Sequence, residues 1–403
     1  MIVADIAYIW VQSMEITRAI VSKLQQRVSS EVKFIQVVIG PRQVGKTTAV
    51  RQLEQSTHLP AVYSAADTAG LPGSHWIRSA WMQARALLHD APAALLILDE
   101  VQLVDEWQHT VKGLWDEDRH ARRNLHVVIT GSSALLLKKG GESLAGRFEK
   151  HELLQWSYPE MRAAFGFSLE DFILYGGYPG AADLKSETQR WKEYIRSSLI
   201  ETVLTKDIIA LSNITKPSLL RQLFAIACQH PAEIVAYSNF LGQLADAGNT
   251  TTLSDYRLLL DDAYFLKTLQ KFSGSTVRSR ASKPKWLICD NALVTAFSDW
   301  PPQEILRSST WGRWIENAVL NHLTRIVDSE VYYWREKDAE VDAVVKVGGT
   351  LYALEVKAGS HLRTKSGLNA FVRRFSKAMP LIVGAGGIPI EDFLASSEWR
   401  WGN

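Results

Sequence analysis

The octapeptide at residues 40–47, Gly-Pro-Arg-Gln-Val-Gly-Lys-Thr, restricts the possible folds of this chain more than any other feature. It completes the pattern G-x-x-x-x-G-K-[ST] and stands between an apolar run, Phe34–Ile39, and a helix-forming segment, Thr47–Glu54. A buried parallel strand that feeds a glycine turn into a helix N-terminus aims several backbone amides at one point, where phosphate oxygens are stabilised. In that setting Gly40, Pro41, Arg42, Gln43, Val44, Gly45, Lys46, Thr47 and Thr48 form a nucleotide cradle. Gly40 and Gly45 admit close backbone approach, Lys46 reaches the β- and γ-phosphates, and the Thr47 hydroxyl sits on Mg²⁺.

About fifty residues further on, Leu95-Leu96-Ile97-Leu98 runs into Asp99-Glu100, an apolar strand delivering two acids at its carboxyl end. This is the Walker B arrangement: Asp99 is expected in the Mg²⁺ shell and Glu100 as the general base that polarises water. Together the two motifs favour an ATPase over a passive nucleotide binder. No Asn-Lys-x-Asp guanine signature occurs, which favours ATP. A third strand, Leu125–Ile129, enters Thr130-Gly131-Ser132-Ser133, where Ser132 is either a γ-phosphate sensor or part of a plain turn. Arg147, in Leu-Ala-Gly-Arg-Phe, either reaches a neighbouring subunit's phosphates or is a surface cation.

These motifs, with Leu-Asp-Glu-Val-Gln at 98–102, Tyr-Gly-Gly-Tyr-Pro at 175–179 and Glu-Val-Asp and Glu-Val-Lys near the C-terminus, resemble the bacterial and archaeal AAA ATPases that carry a C-terminal domain related to PD-(D/E)xK nucleases. The resemblance spans nearly the whole chain. It implies nucleotide-site roles for Lys46, Thr47, Asp99, Glu100 and Ser132, and the arginine-finger position for Arg147. The expected fold class is α/β: a P-loop NTPase with a parallel sheet, then a winged-helix module and a restriction-endonuclease-like α/β domain. The expected boundaries are 14–165 for the ATPase, 166–212 for a helical lid or linker, 213–290 for the winged helix and 291–403 for the nuclease-like domain.

Composition agrees with an ordinary globular protein: 403 residues with 22% charged side chains are enough for two to four domains. A net charge of +2 says little about partners. Cys228 and Cys289 occur without a C-x-x-C pair, which argues against a disulfide framework or thiolate metal site and fits a reducing cytoplasm. The stretch Ile2–Val11 is too short for a membrane span and lacks the flanks of a signal peptide. Residues 1–13 read either as an upstream extension of the natural start or as a short element packed on the ATPase core.

Five strand runs, 34–39, 61–64, 94–98, 125–129 and 149–154, alternate with helical segments in the first part. Between 217 and 288 three short helices precede a hairpin, the winged-helix order, whose third helix normally enters the major groove. Lys271, Arg278, Arg280, Lys283 and Lys285 stand in the hairpin segment with no acid, which suits a wing on DNA phosphates, and the third helix offers Arg257. Protein docking is the other use of such a module.

Near the C-terminus, Val341–Val347 and Leu351–Ala358 flank Gly348-Gly349, a two-residue hairpin loop. If Val347 pairs with Thr350, Asp342 opposes Glu355 and Glu340 opposes Lys357, placing four charges on one face and Val341, Ala343, Val345, Val347, Leu354 and Val356 on the other. Opposed carboxylates with Cβ atoms about 4.5–5.5 Å apart repel and need compensation, and a divalent cation supplies it. Asp followed by Glu-x-Lys on the next strand is the PD-(D/E)xK core: Asp342 and Glu355 as metal ligands, Lys357 activating water, and Glu316, on the apolar helix 311–326, as a further acid. The alternative is a cross-strand ion pair beside a solvated edge. Between Glu355 and Glu391 there are six cations, including Arg363, Lys365, Arg373 and Lys377, and no acid; they form either a phosphate surface or a solvated helix face. The expected partners are ATP, Mg²⁺ and DNA, with a homo-oligomer or a protein partner as further options and no membrane. The alternative function is a nucleotide-switched scaffold that binds protein partners without cleavage.

Overall fold

The computed structural model describes residues 16–68, 73–131, 144–209, 214–244, 249–273, 282–359 and 366–401. The chain divides into two compact units between Gln155 and Trp156. Residues 1–13 and Ser132 lie outside the described residues.

In the first unit all five strand runs are strands: β1 (Ile35–Ile39), β2 (Ala61–Ala65), β3 (Ala94–Asp99), β4 (Leu125–Gly131) and β5 (Phe148–Glu152). They form one parallel sheet in the order β2-β3-β4-β1-β5. Strands β1, β3 and β4 are buried along their whole length, since inner parallel strands are covered on both faces. Helices Ser74–Leu87 and Trp107–His120 cover one side, with Ile77, Trp81, Val111 and Leu114 packed among Leu96, Leu98 and Val127. The two helices are pinned by Asp118, which accepts from the Trp81 indole at 2.7 Å and pairs with Arg85 at 2.8 Å and Arg123 at 2.9 Å. Because all five strands run the same way, the turns after β1, β3 and β4 gather at one sheet edge, where polar residues can first appear.

The second unit begins at Trp156 and includes helix Tyr158–Phe165, which packs on the residues that follow it. Trp156 and Phe165 lie 5.8 Å apart, Tyr158 and Phe172 lie 5.6 Å apart, and the Tyr158 hydroxyl donates to Glu391 at 2.8 Å. After helix Leu169–Tyr175 comes the expected helical stretch, Thr188–Glu193 followed by π-helical turns at Tyr194–Ile200 and Val203–Ile209.

The Gly-Gly-Tyr-Pro interruption has a structural purpose. The Gly177 carbonyl accepts from Trp156 N at 2.9 Å, and its amide donates to Asp290 Oδ2 at 2.9 Å. Asp290 also caps helix Asn291–Phe297 through Ala292 N. From there a buried seam of amides continues: Asn291 donates to the carbonyls of Ile173 and Trp314, and Asn317 donates to the Ile288 carbonyl and to Asn291 Oδ1. The boundary expected at 290/291 therefore falls inside a continuous polar network.

A single seven-stranded sheet also crosses that boundary. It contains β6 (Glu233–Ile234), β7 (Leu266–Lys271), β8 (Lys285–Ile288), β9 (Val331–Glu336), β10 (Ala339–Val347), β11 (Thr350–Lys357) and β12 (Met379–Gly384), in the order β12-β11-β10-β9-β7-β8-β6. The join is the parallel pairing of β7 with β9 at Gln270↔Tyr332 and Lys271↔Tyr333. Before it come helices Pro217–Gln229, Tyr237–Leu241 and Thr250–Asp262 in the expected sequence, with β6 pairing antiparallel to β8.

The β10–β11 hairpin has the expected register, from Val347↔Thr350 to Ala343↔Leu354, around Gly348 and Gly349 at positive φ. Its face assignment is different. A register shift between Val341 and Val344 in the pairing with β9 turns both side chains toward helix Ser366–Arg374, where they pack with Trp334, Leu368 and Phe371. One extra residue in a strand reverses the in/out parity beyond it, so strict alternation fails at that point. Among the described residues no helix is long and apolar enough to cross a membrane.

A Cβ at position 177 would lie 2.1 Å from the Trp156 carbonyl oxygen, whereas one at Gly166 would meet nothing within 4 Å. Gly177→Ala is therefore expected to destabilise the second unit by about 1–3 kcal/mol. Gly166→Ala should cost only the strain of its positive φ, and denaturant unfolding of the two variants should separate them.

Candidate functional site

Strand β1 ends at Ile39, and the loop that follows is held in shape by its own backbone. Gly45, at φ 92°, opens helix Lys46–Ser56, and Gln43 takes φ 60°. Gly40 passes so close to the Leu153 carbonyl that a Cβ there would stand 1.9 Å from its oxygen. Val44 is fully buried, and its carbonyl accepts from Arg18, which also donates to the Leu154 carbonyl. The Lys46 ammonium is buried and donates to the carbonyls of Gly40 at 3.1 Å and Pro41 at 2.7 Å. Thr47 and Thr48 are half-buried on the first helical turn. An N-terminal helical turn with a lysine curled over it is a cradle for phosphate, since the amides and the ammonium face the same space.

Asp99, at the end of β3, is 1% exposed and fully engaged. Oδ2 accepts from the Tyr63 hydroxyl at 2.7 Å; Oδ1 accepts from the Thr130 hydroxyl and from Glu100 N at 3.1 Å. The Arg51 guanidinium stacks over the Tyr63 ring, 3.1 Å from its centroid. Glu100 adopts the left-handed conformation at φ 54°, and its amide also donates to the Thr130 hydroxyl at 3.1 Å. Its carboxylate accepts from the Gln102 amide. Burial raises the Glu100 carboxyl above the ordinary carboxylate range, with Lys46 and Arg42 pulling the other way. That shift suits a base that must take up a proton. The chemistry of the donor set, a hydroxyl at Thr47 and a carboxylate at Asp99 beside backbone amides, fits a Mg²⁺-nucleotide.

The residues around Asp99 escaped sequence reasoning. Tyr63 lies on β2 and Thr130 on β4, and only the strand order β2-β3-β4 brings them to β3. Arg147 forms a two-pronged ion pair with Asp116, Nε to Oδ1 at 2.8 Å and Nη2 to Oδ2 at 3.0 Å, with about a third of each side chain exposed. It is tied to its own chain, and any role at a neighbour requires exchange of that partner.

The C-terminal acids gather, but around an unexpected group. Lys285, assigned from sequence to a phosphate-tracking wing, is 0% exposed, and its Nζ stands 2.5 Å from Glu316, 3.4 Å from Glu340 and 3.6 Å from Asp342. Burial alone would lower the Lys285 ammonium, but Glu316, Asp342 and Glu340 together hold it above its ordinary value. Burial and the Asp342 charge push the Glu316 carboxyl up. Asp342 Oδ2 accepts from Val356 N at 2.8 Å, and Glu355 pairs with Lys357 on the same strand. Among the described residues no group of three or more His, Cys, Asp or Glu side chains is disposed to hold a metal ion. Of the acids expected as metal ligands, Glu316 and Asp342 face the Lys285 ammonium, and Glu355 lies with Lys357. One signal pointed there, because a lone lysine in the otherwise apolar run Lys285-Trp286-Leu287-Ile288 has to find a buried partner.

Arg257, expected to project from the third helix, turns inward instead. It donates to Asp261 and Thr268, both at 3.2 Å, and is 14% exposed. Lys283, Arg373 and Lys377 are exposed, while Arg278, Arg280, Arg363 and Lys365 lie outside the described residues.

Residues 32–162 match the family described as an AAA domain, residues 166–304 a domain of unknown function (DUF8612), and residues 311–391 a domain of unknown function (DUF4143). The first unit accordingly carries an AAA-type P-loop NTPase domain, consistent with ATP binding. An uncharacterized protein of Mycobacterium tuberculosis and one of Mycobacterium bovis are each 24% identical over 329 residues, covering 80% of this chain and 70% of theirs. Among solved structures, the Thermotoga maritima RuvB Holliday junction branch migration motor overlaps 62% of this chain and 89% of its own at 16% identity and a TM-score of 0.33. The Aeropyrum pernix ORC1 protein in complex with DNA overlaps 71% and 93% at 11% identity and a TM-score of 0.31.

Tyr63→Phe removes a hydrogen bond to a buried carboxylate. It is expected to cost about 1.5–3 kcal/mol in denaturant unfolding of the first unit. An unchanged stability would mean that Thr130 and Glu100 N alone satisfy Asp99.

Proposed function

We propose that this chain hydrolyses ATP and couples turnover to a second unit that associates with DNA. The observation that carries the ATPase reading is the convergence, at the carboxyl edge of one parallel sheet, of the phosphate loop after β1 and the Asp99-Glu100 pair after β3. Lys46 would leave the Gly40 and Pro41 carbonyls for the β- and γ-phosphates, while the loop amides hold the remaining oxygens. Thr47 and Asp99 would hold Mg²⁺, which would offset the charge of the phosphates. Tyr63 and Thr130 fix the direction of Asp99, and Gln102 holds Glu100, whose carboxylate would take the proton of the attacking water. Ser132 as a γ-phosphate sensor and Arg147 as an arginine finger belong to the same proposal.

Two finer assignments concern the second unit. The order helix, β6, helix, helix, β7, β8, with β6 on β8, supports a winged helix at 213–290. The β10–β11 hairpin, parallel β12, and Glu316 brought to Glu340 and Asp342 support a PD-(D/E)xK-like fold in the last third. Exposed Lys283, Arg373 and Lys377 support contact with a phosphate backbone. The inward ties of Arg257 and Lys285 favour the second reading, a nucleotide-switched scaffold for protein partners.

Glu100→Gln should retain ATP and lose turnover by about 10²–10⁴-fold, while Lys46→Ala should lose nucleotide binding. Undiminished hydrolysis by Glu100→Gln would reject the assigned base. Duplex DNA affinity should fall steeply with salt, because each phosphate contact releases counterions. Salt-insensitive or absent binding, with ATP turnover intact, would select the scaffold.

A further inference from the structure

Lys285 places a whole positive charge among three acids of the last third. Its Nζ faces Glu316 Oε1 at 2.5 Å, Glu340 Oε1 at 3.4 Å, Asp342 Oδ1 at 3.6 Å and the Asp342 carbonyl oxygen at 3.5 Å. At 0% exposure the ammonium is shut off from bulk solvent, and these oxygens are its counter-charge, Glu316 in contact and Glu340 and Asp342 at ion-pair distance. Two of the neighbouring acids have cations of their own, Glu355 pairing with Lys357 and Glu340 having Arg335 at 3.7 Å, while Asp342 shares Lys285 and accepts from Val356 N.

We propose that Lys285 is an internal stand-in for the divalent cation. The carboxylate cluster then fastens β8 to helix Trp311–Ile326 and to β10 and does not carry out metal-assisted hydrolysis. This rests on reading the last third as a PD-(D/E)xK-like fold, and it makes that fold one that holds a partner without cutting it. Lysine and metal exclude each other, since the ammonium occupies the space toward which Glu316, Glu340 and Asp342 turn.

The test is a Mn²⁺ titration of the full-length, nucleotide-free protein, with free Mn²⁺ followed by electron paramagnetic resonance. Wild type, Asp342→Asn, Lys285→Met and the double variant are compared, and DNA cleavage and ATP turnover are measured on the same preparations. The wild-type and Asp342→Asn isotherms are expected to coincide. Lys285→Met is expected to gain a Mn²⁺ site that the double variant loses, and no preparation of wild type should cleave DNA. A wild-type Mn²⁺ site that Asp342→Asn removes, or Asp342-dependent cleavage, would overturn the proposal, and this comparison stands even if Lys285→Met does not fold. A folded Lys285→Met that gains no site would also overturn it, together with the nuclease-like reading. ATP turnover measured in those samples and in Glu100→Gln separates that failure from a failure of the ATPase reading.

Discussion

An ammonium drawn into a protein interior must be neutralised where it stands, and the join within the second unit's sheet is organised by that need. Glu316 arrives from a helix, Glu340 and Asp342 from β10, and the compensating charge from β8. In hydrogen-bonding order β7 and β9 lie between β8 and β10, and they are joined by only two residue pairs. A buried ion pair adds little net stability over an apolar contact, but losing one partner costs about 3–5 kcal/mol because the other charge is left unpaired. The lysine therefore acts less as a source of stability than as a requirement: the two parts of the sheet come together in one register or leave bare charge inside. The Asp290–Gly177 contact and the amide seam through Asn291 and Asn317 impose the same condition nearby.

The first unit meets a different constraint with simpler means. Strands buried on both faces admit few polar side chains along their length, Gln36 paired with His151 among them, so the chemistry-bearing residues stand at the carboxyl ends. The loop after β1 and the acids after β3 are there for that reason. Tyr63, Thr130 and Gln102 keep Asp99 and Glu100 from choosing other rotamers.

How much of this could be read from the sequence depended on the range of the interaction. The five strands of the first sheet were legible because each is an uninterrupted apolar run, and the phosphate loop because its spacing is local. The hairpin register was legible because Gly348-Gly349 permits few alternatives. The shift between Val341 and Val344 was not, since the extra residue answers to β9 and not to β11. Lys285 was misread because its acids are far away in sequence; Arg257 had Asp261 four positions on, but that pair alone does not say whether the side chain faces inward. Glu316 is 31 positions from Lys285, and Thr268 comes to Arg257 only when β7 folds back on its helix. The helix Tyr158–Phe165 has an ordinary amphipathic pattern that does not say which neighbour it covers, so the split between the units at 155 has no local signal.

The placement of Lys285 also limits how such a chain can be rearranged. A hairpin module followed by an α/β domain looks like two cassettes that genetic exchange could shuffle. Here the cassette boundary runs through a charge balance: a transplanted last third would carry Glu316, Glu340 and Asp342 without their ammonium, and a transplanted hairpin would carry a lysine with no acids to receive it. Exchanging either segment alone would therefore leave uncompensated charge at the join.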